Sequence, residues 1–171
     1  MSGSSNMRAV RAPHQAEESV IGFLQKPLCD DASYLSLLSR KIFHAGFSKA
    51  VVDRRWSAFE TSFLGFDAAR LLALDAAGRN AILNDSRLIR NRKKILAVLE
   101  NAGQVQRLAN THGSFRAWLR GLHTLPYECR AEALCSTFHH VGAATAFWFL
   151  FEAGMAELHE RPDEVIVRGA G

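Results

Sequence analysis

The sequence predicts an all-α fold, a single helical domain of about eight helices. Three observations carry this. Apolar residues recur at helical spacing through most of the chain. Asp, Asn or Ser stands just before many of these runs, where a side-chain oxygen can cap the first backbone N–H groups. Val165-Ile166-Val167 is the only β-like run, and it is too short to build a sheet. No internal repeat stands out.

Residues 1–15, MSGSSNMRAVRAPHQ, are small, polar and basic and are expected to form a disordered arm. Ala16 to Gln25 can form a short helix with Glu17 and Glu18 at its start, ended by Pro27. Asp30-Asp31 offers a cap for a helix over Ala32 to Phe43, whose inward residues are Tyr34, Leu35, Leu37, Leu38, Ile42 and Phe43. His44-Ala45-Gly46-Phe47-Ser48 breaks it, with Ser48 as the next cap. Lys49 to Phe63 follows, with Val51, Val52, Trp56, Phe59 and Phe63 on one side.

Gly65-Phe66-Asp67 is a stop and restart. Asp67 caps Ala68 to Ala73, and Asp75 caps Ala76 to Leu83. Asn91 caps a long helix, Arg92 to Ala109, that turns Ile95, Val98, Leu99 and Val105 inward and closes at Thr111-His112-Gly113. Ser114 caps a short helix carrying Phe115, Trp118 and Leu119, and Gly121 to Pro126 is a loop. Tyr127 to Thr137 leads into a hairpin, Phe138 to Gly142, and then into Ala143 to Ala153, which stops at Gly154. Only Thr145 and Glu152 are polar in that last run, so it is expected to be buried on every side as the central helix. It is too short to span a bilayer. The expected organisation is an arm over 1–15, one helical domain over 16–158 and a tail over 159–171.

Apolar residues make up 48% and charged residues 22%, which places the chain among globular rather than disordered sequences. A formal charge of +4 is compatible with nucleic acid and equally with an indifferent basic protein. Cys29, Cys129 and Cys135 are odd in number and fit neither a CxxC nor a zinc-finger spacing. They are expected to be reduced thiols of a cytoplasmic protein. No apolar leader and no membrane span are evident.

Two stretches could meet an anion. Arg87, Arg90, Arg92, Lys93 and Lys94 put five cations into eight positions, with no acid among them, at a turn and a helix start. Cations there oppose the helix dipole, so a phosphate role competes well with that of a solvated face. The second stretch is the hairpin. The backbone at Gly142 and the start of the following helix offer N–H groups to a phosphate. His139 and His140 could add to that grip or be plain surface histidines.

RKIFHAGFSKAVVDRRW within Tyr34 to Trp56, then FETSFLGFD and SRLIRNRKKILAVLENA, resemble the DNA 3-methyladenine glycosylase I family. Its pattern has a Q-AGLSW segment, a KR-x-x-F run, an FD cap and a GIIR-x-x-KI-x-A-x-x-NA run. Phe138 to Gly154 resembles its GF-x-x-VG hairpin and following helix. The resemblance covers about Asp31 to Glu157. It implies a helix-hairpin-helix DNA repair glycosylase that binds double-stranded DNA and excises an alkylated purine by flipping it into a pocket. The implied base pocket is Lys41, His44, Phe47, Lys49 and Trp56.

Several positions depart from the family. Its N-terminal cysteine and YHD-x-EWG segment have no counterpart in residues 1–30. Its glutamate falls on Lys41, its glutamine on His44 and its tryptophan on Lys49. Lysine neither accepts the N–H groups of a cationic base nor offers it a π face. His159 matches the C-terminal zinc histidine, but Asp163 stands where a cysteine ligand should, so no metal or other cofactor is expected. Related glycosylases use an aspartate after the hairpin glycine. Glu157, Glu160, Asp163 and Glu164 lie in that region, Asp163 nearest the spacing, with a solvated tail acid as its other reading. His44 could bond a base or be a core histidine. The expected function is thus that of a DNA repair glycosylase, acting as a monomer on double-stranded DNA.

 The alternative is a DNA-binding module that kept this scaffold and lost catalysis, and a third reading is a protein–protein module. No membrane partner is expected under any of the three.

Overall fold

The computed structural model describes residues 28–162. The expected arm, the Ala16–Gln25 helix, Asp163, Glu164 and the Val165–Val167 run lie outside them. The described chain is all helical: α1 Asp31–His44, α2 Lys49–Ser62, α3 Ala68–Leu72, α4 Ala76–Leu83, α5 Arg92–His112, α6 Phe115–Leu122, α7 Tyr127–Thr137 and α8 Ala143–Glu152, with 3₁₀ turns at Leu64–Phe66 and Leu158–Glu160.

Local chemistry explains most boundaries. Asp30 accepts the Ser33 N–H at 2.8 Å, and the Ser33 hydroxyl accepts the Asp30 N–H in return, a reciprocal capping box. Asp67, Asp75, Asn91 and Ser114 each accept the N–H three residues on. Ser48 occupies the N-cap of α2, but its side chain makes no capping bond. At the end of α8, Gly154 takes φ +70. Met155 N–H then bonds Leu150 O at 2.7 Å and Gly154 N–H bonds Phe151 O at 3.1 Å, closing the helix through its left-handed glycine.

The predicted inward residues of α1 and α5 are all buried, and they join the buried faces of the other helices in one core. The hub differs from expectation. α1 packs on α2, α3, α5, α6 and α8, while α5 packs on α1, α3, α4 and α6. α8 packs mainly on α1 and α7. Its Phe151 is 38% exposed, so the helix is buried on most sides but not all. Being apolar all round signals burial without saying which helix is the hub.

One strained turn shapes the middle of the molecule. Leu64, Gly65 and Phe66 all have positive φ. For the two non-glycine residues that costs on the order of 1–3 kcal/mol each. Packing offsets it: Phe66 is fully buried and stacks on Trp56 and Phe63, with ring centroids 5.5 and 5.4 Å away.

Candidate functional site

The short link between α1 and α2 gathers most of the expected pocket residues. A helix end leaves carbonyls without intrahelical partners. Here Lys94, from the first turn of α5, enters the gap and donates through Nζ to Ile42 O at 2.6 Å and Ala45 O at 3.3 Å. Gly46 makes room for it, since a Cβ at that position would come within 3.2 Å of Lys94 Nζ. The ammonium also lies 5.2 Å from the centre of the Phe47 ring. Lys94 is therefore buried and faces inward, unlike the rest of its basic run, and burial holds its pKa below the ordinary lysine value.

Lys41, one turn back on α1, is 7% exposed, and its ammonium pairs with Glu152 Oε1 on α8. Burial lowers its pKa, and the bond to Glu152 acts in the opposite direction. His44 Nε2 lies 2.8 Å from Asp53 Oδ1 on α2, and the same oxygen takes Arg40. Burial lowers the His44 pKa against the pull of Asp53, which favours the neutral ring. Its Nδ1 is buried and has no hydrogen-bond partner among the described residues.

Lys49 opens α2 and places Nζ 4.8 Å over the ring of Trp148 on α8, which the Arg161 guanidinium also approaches at 5.6 Å. Lys41, His44, Phe47 and Lys49 thus cluster where α1 ends and α2 begins. Trp56 stands apart from them. It faces a cavity of about 350 Å³ bordered by Ser36, Arg40, Glu60, Phe66 and Glu152, and its indole N–H donates to Ser36 Oγ at 3.2 Å. Glu152 touches both regions, pairing Lys41 while bordering the cavity.

The hairpin between α7 and α8 is fixed from below. Phe138 and Val141 are buried, and His140 takes the turn at φ +59. Asn101, on α5 and without exposure, accepts the His139 N–H at 2.8 Å and donates to His139 O at 3.1 Å. The imidazoles of His139 and His140 remain on the exposed side, with His139 Nδ1 3.5 Å from Glu100. Gly142 is exposed and provides no side-chain cap, which leaves the first amides of α8 pointing outward with the positive end of the helix dipole.

The basic run divides three ways. Arg87 is exposed but bound to Asp85, with Nη2 2.7 Å from Oδ2, and that pair holds the Asp85 carboxyl well below the usual range. Arg90, Arg92 and Lys93 are exposed. Lys94 is the inward residue already described. Among the described residues no group of three or more His, Cys, Asp or Glu is placed to share a metal ion, and His159 lies 3.3 Å from Glu157. Sequence reasoning missed Asn101, Asp53 and Trp148 as participants. For Asn101 there was a signal, a polar residue on the inward face of an otherwise apolar helix; Asp53 and Trp148 offered none.

The helical scaffold is shared with solved structures. 3-Methyladenine DNA glycosylase I from Staphylococcus aureus superposes with a TM-score of 0.68 over 90% of this chain and 94% of its own, at 20% identity. A variant of 3-methyladenine DNA glycosylase I in complex with 3-methyladenine gives 0.68 over 90% and 95%, at 20% identity. A further crystal structure of 3-methyladenine DNA glycosylase I gives 0.65 over 75% and 81%, at 21% identity. At such identities the likeness carries the fold. No curated protein matches the sequence. The family model described as methyladenine glycosylase matches residues 25–131, and the chain belongs to that family.

Proposed function

We propose that this protein binds double-stranded DNA and excises an alkylated purine of the 3-methyladenine type after flipping it out of the stack. Family membership is the observation that carries this reading. The geometry supports it with two phosphate-facing elements: the open start of α8 at Gly142 and the exposed Arg90, Arg92 and Lys93 at the opening of α5. Arg87 adds to them less strongly because Asp85 already holds it. His139 and His140 project from the same turn. Lys94 is left out of this set, since its charge is spent on α1 carbonyls.

The chemistry asks little of the protein. A purine alkylated on a ring nitrogen carries positive charge, so the glycosidic bond breaks with its electron pair returning to an already cationic base. Water then forms the new bond at the sugar carbon and gives up its proton. We assign that proton to solvent rather than to His44, whose Nε2 is engaged by Asp53 and whose Nδ1 is sealed from water. Lys41, His44, Phe47 and Lys49 form the wall on the α1–α2 side, and Trp56 lines the neighbouring cavity. The protein acts as a cytoplasmic monomer in this reading.

The second reading is a DNA-binding module without catalysis. Lys49 favours it, because its exposed ammonium repels a cationic base while the charge of Lys41 is matched by Glu152. Incubation with methylated duplex separates the two. Free methylpurine in the supernatant supports the enzyme. Salt-sensitive duplex binding with no released base supports the module, and absence of duplex binding removes both.

A further inference from the structure

Two lysines reach α8 from across the site, and they meet it one helical turn apart. Lys41, from α1, donates to Glu152, and Lys49, from the start of α2, lies 4.8 Å over Trp148. Positions 148 and 152 are i and i+4, so the indole and the carboxylate share one face of α8. A ring to stack on, with an acceptor for N–H groups one turn away, is what a flipped purine requires. Positions 41 and 49 themselves offer neither.

We propose that α8, through Trp148 and Glu152, is the base-reading surface of this protein, with Lys41 holding Glu152 in place and Lys49 covering the indole until a base arrives. The proposal rests on the glycosylase reading above and names the residues of that same site. Its ligand is a purine base bearing an exocyclic amino group. Glu152 borders the cavity of about 350 Å³, and an ionised carboxylate has about four acceptor positions, so its bond to Lys41 does not exhaust it. Lys49 is exposed on a long flexible stem. A base stacked on an indole outweighs an exposed cation–π contact, so the incoming base displaces the ammonium from Trp148. Because Lys41 neutralises Glu152 and both Lys49 and Arg161 stand at Trp148, the surface has no net negative charge. It therefore selects shape and N–H donors rather than positive charge.

Free 3-methyladenine and free adenine are titrated into the full chain, with the tryptophan indole N–H resonances as the readout. Affinity for undamaged duplex and the Tm are measured in parallel. We expect Glu152→Gln and Trp148→Leu each to weaken 3-methyladenine binding at least tenfold, with duplex affinity unchanged, Trp148→Phe to recover part of the loss, and Lys49→Ala to bind at least as well as the parent. If Trp148→Leu fails to fold, Glu152→Gln decides alone. Parent-strength base binding in the folded variants overturns the proposal, and so does absence of base binding by a parent protein that still binds duplex. Loss of duplex binding with base binding intact would instead remove the DNA-binding reading and leave this one standing.

Discussion

Asn101 holds the backbone of His139 with both halves of its amide, accepting the N–H at 2.8 Å and donating to the carbonyl at 3.1 Å. A fully buried side chain on the longest helix thereby sets the position of an exposed turn 38 residues away in sequence. The turn leads directly into the open start of α8, so this contact, with buried Phe138 and Val141, places those amides.

Replacing Asn101 with Leu leaves the part-buried N–H and C=O of His139 without their partner. A loss of about 1–2 kcal/mol in stability follows. Duplex affinity should fall by roughly tenfold as the α8 start loses its position, which corresponds to about 1.4 kcal/mol. Urea unfolding and duplex titration at fixed salt measure the two effects. Unchanged duplex affinity in a destabilised but folded variant would separate the hairpin from DNA binding.

Neighbouring lysines at the opening of α5 should behave oppositely. Lys93→Ala removes an exposed charge and should weaken duplex binding for all sequences alike, lowering the salt slope by about 1 with little change in Tm. Arg90→Ala and Arg92→Ala should act in the same way. Lys94→Met should leave the salt slope alone and destabilise the fold, because the Ile42 and Ala45 carbonyls lose their donor. A salt-slope change with Lys94→Met equal to that with Lys93→Ala would contradict the inward placement.

His44 gives the fold a pH dependence of predictable sign. Its unfolded value is 6.5, and burial holds the folded value lower. Between the two, the unfolded chain binds more protons than the folded one. The stability associated with neutral His44 is therefore complete above about pH 6.5 and is lost as pH falls through the folded value. Asp53 is brought net below its ordinary 3.8: burial pushes it up, but the bonds from His44 and Arg40 prevail, so its loss occurs at lower pH and is separable. Urea midpoints measured from pH 7.5 to 5 should decline in the parent and flatten in His44→Gln. An equal decline in both would assign the effect to another group.

Much of the fold was legible because helices are specified locally. Asp67, Asp75, Asn91 and Ser114 cap the helices they precede, and α8 stops at Gly154 as expected, there in a left-handed turn. Each of these bonds spans three to five residues, so spacing alone reveals it. Ser48 shows the limit of the same rule, standing at the cap position without forming the bond.

The site was legible only in part. The link from His44 to Lys49 was marked by its glycine break, and Glu152 by being one of two polar residues in an apolar run. Their partners were not, because Lys41 meets Glu152 across 111 residues and Lys94 meets Ile42 across 52. Nothing in a basic run distinguishes Lys93, which faces solvent, from Lys94, which caps another helix.

By itself the sequence determined the helices, their ends and their apolar faces, since these arise from hydrogen bonds and periodicity within a few residues. Only the tertiary structure decided which helices form the hub, which lysines point inward, and that Trp148 and Glu152 face two lysines across the site. Those outcomes depend on where a buried charge finds a partner, and a charge taken out of water is stabilised by whichever opposite charge or carbonyl the packing brings to it, not by its neighbours in the chain.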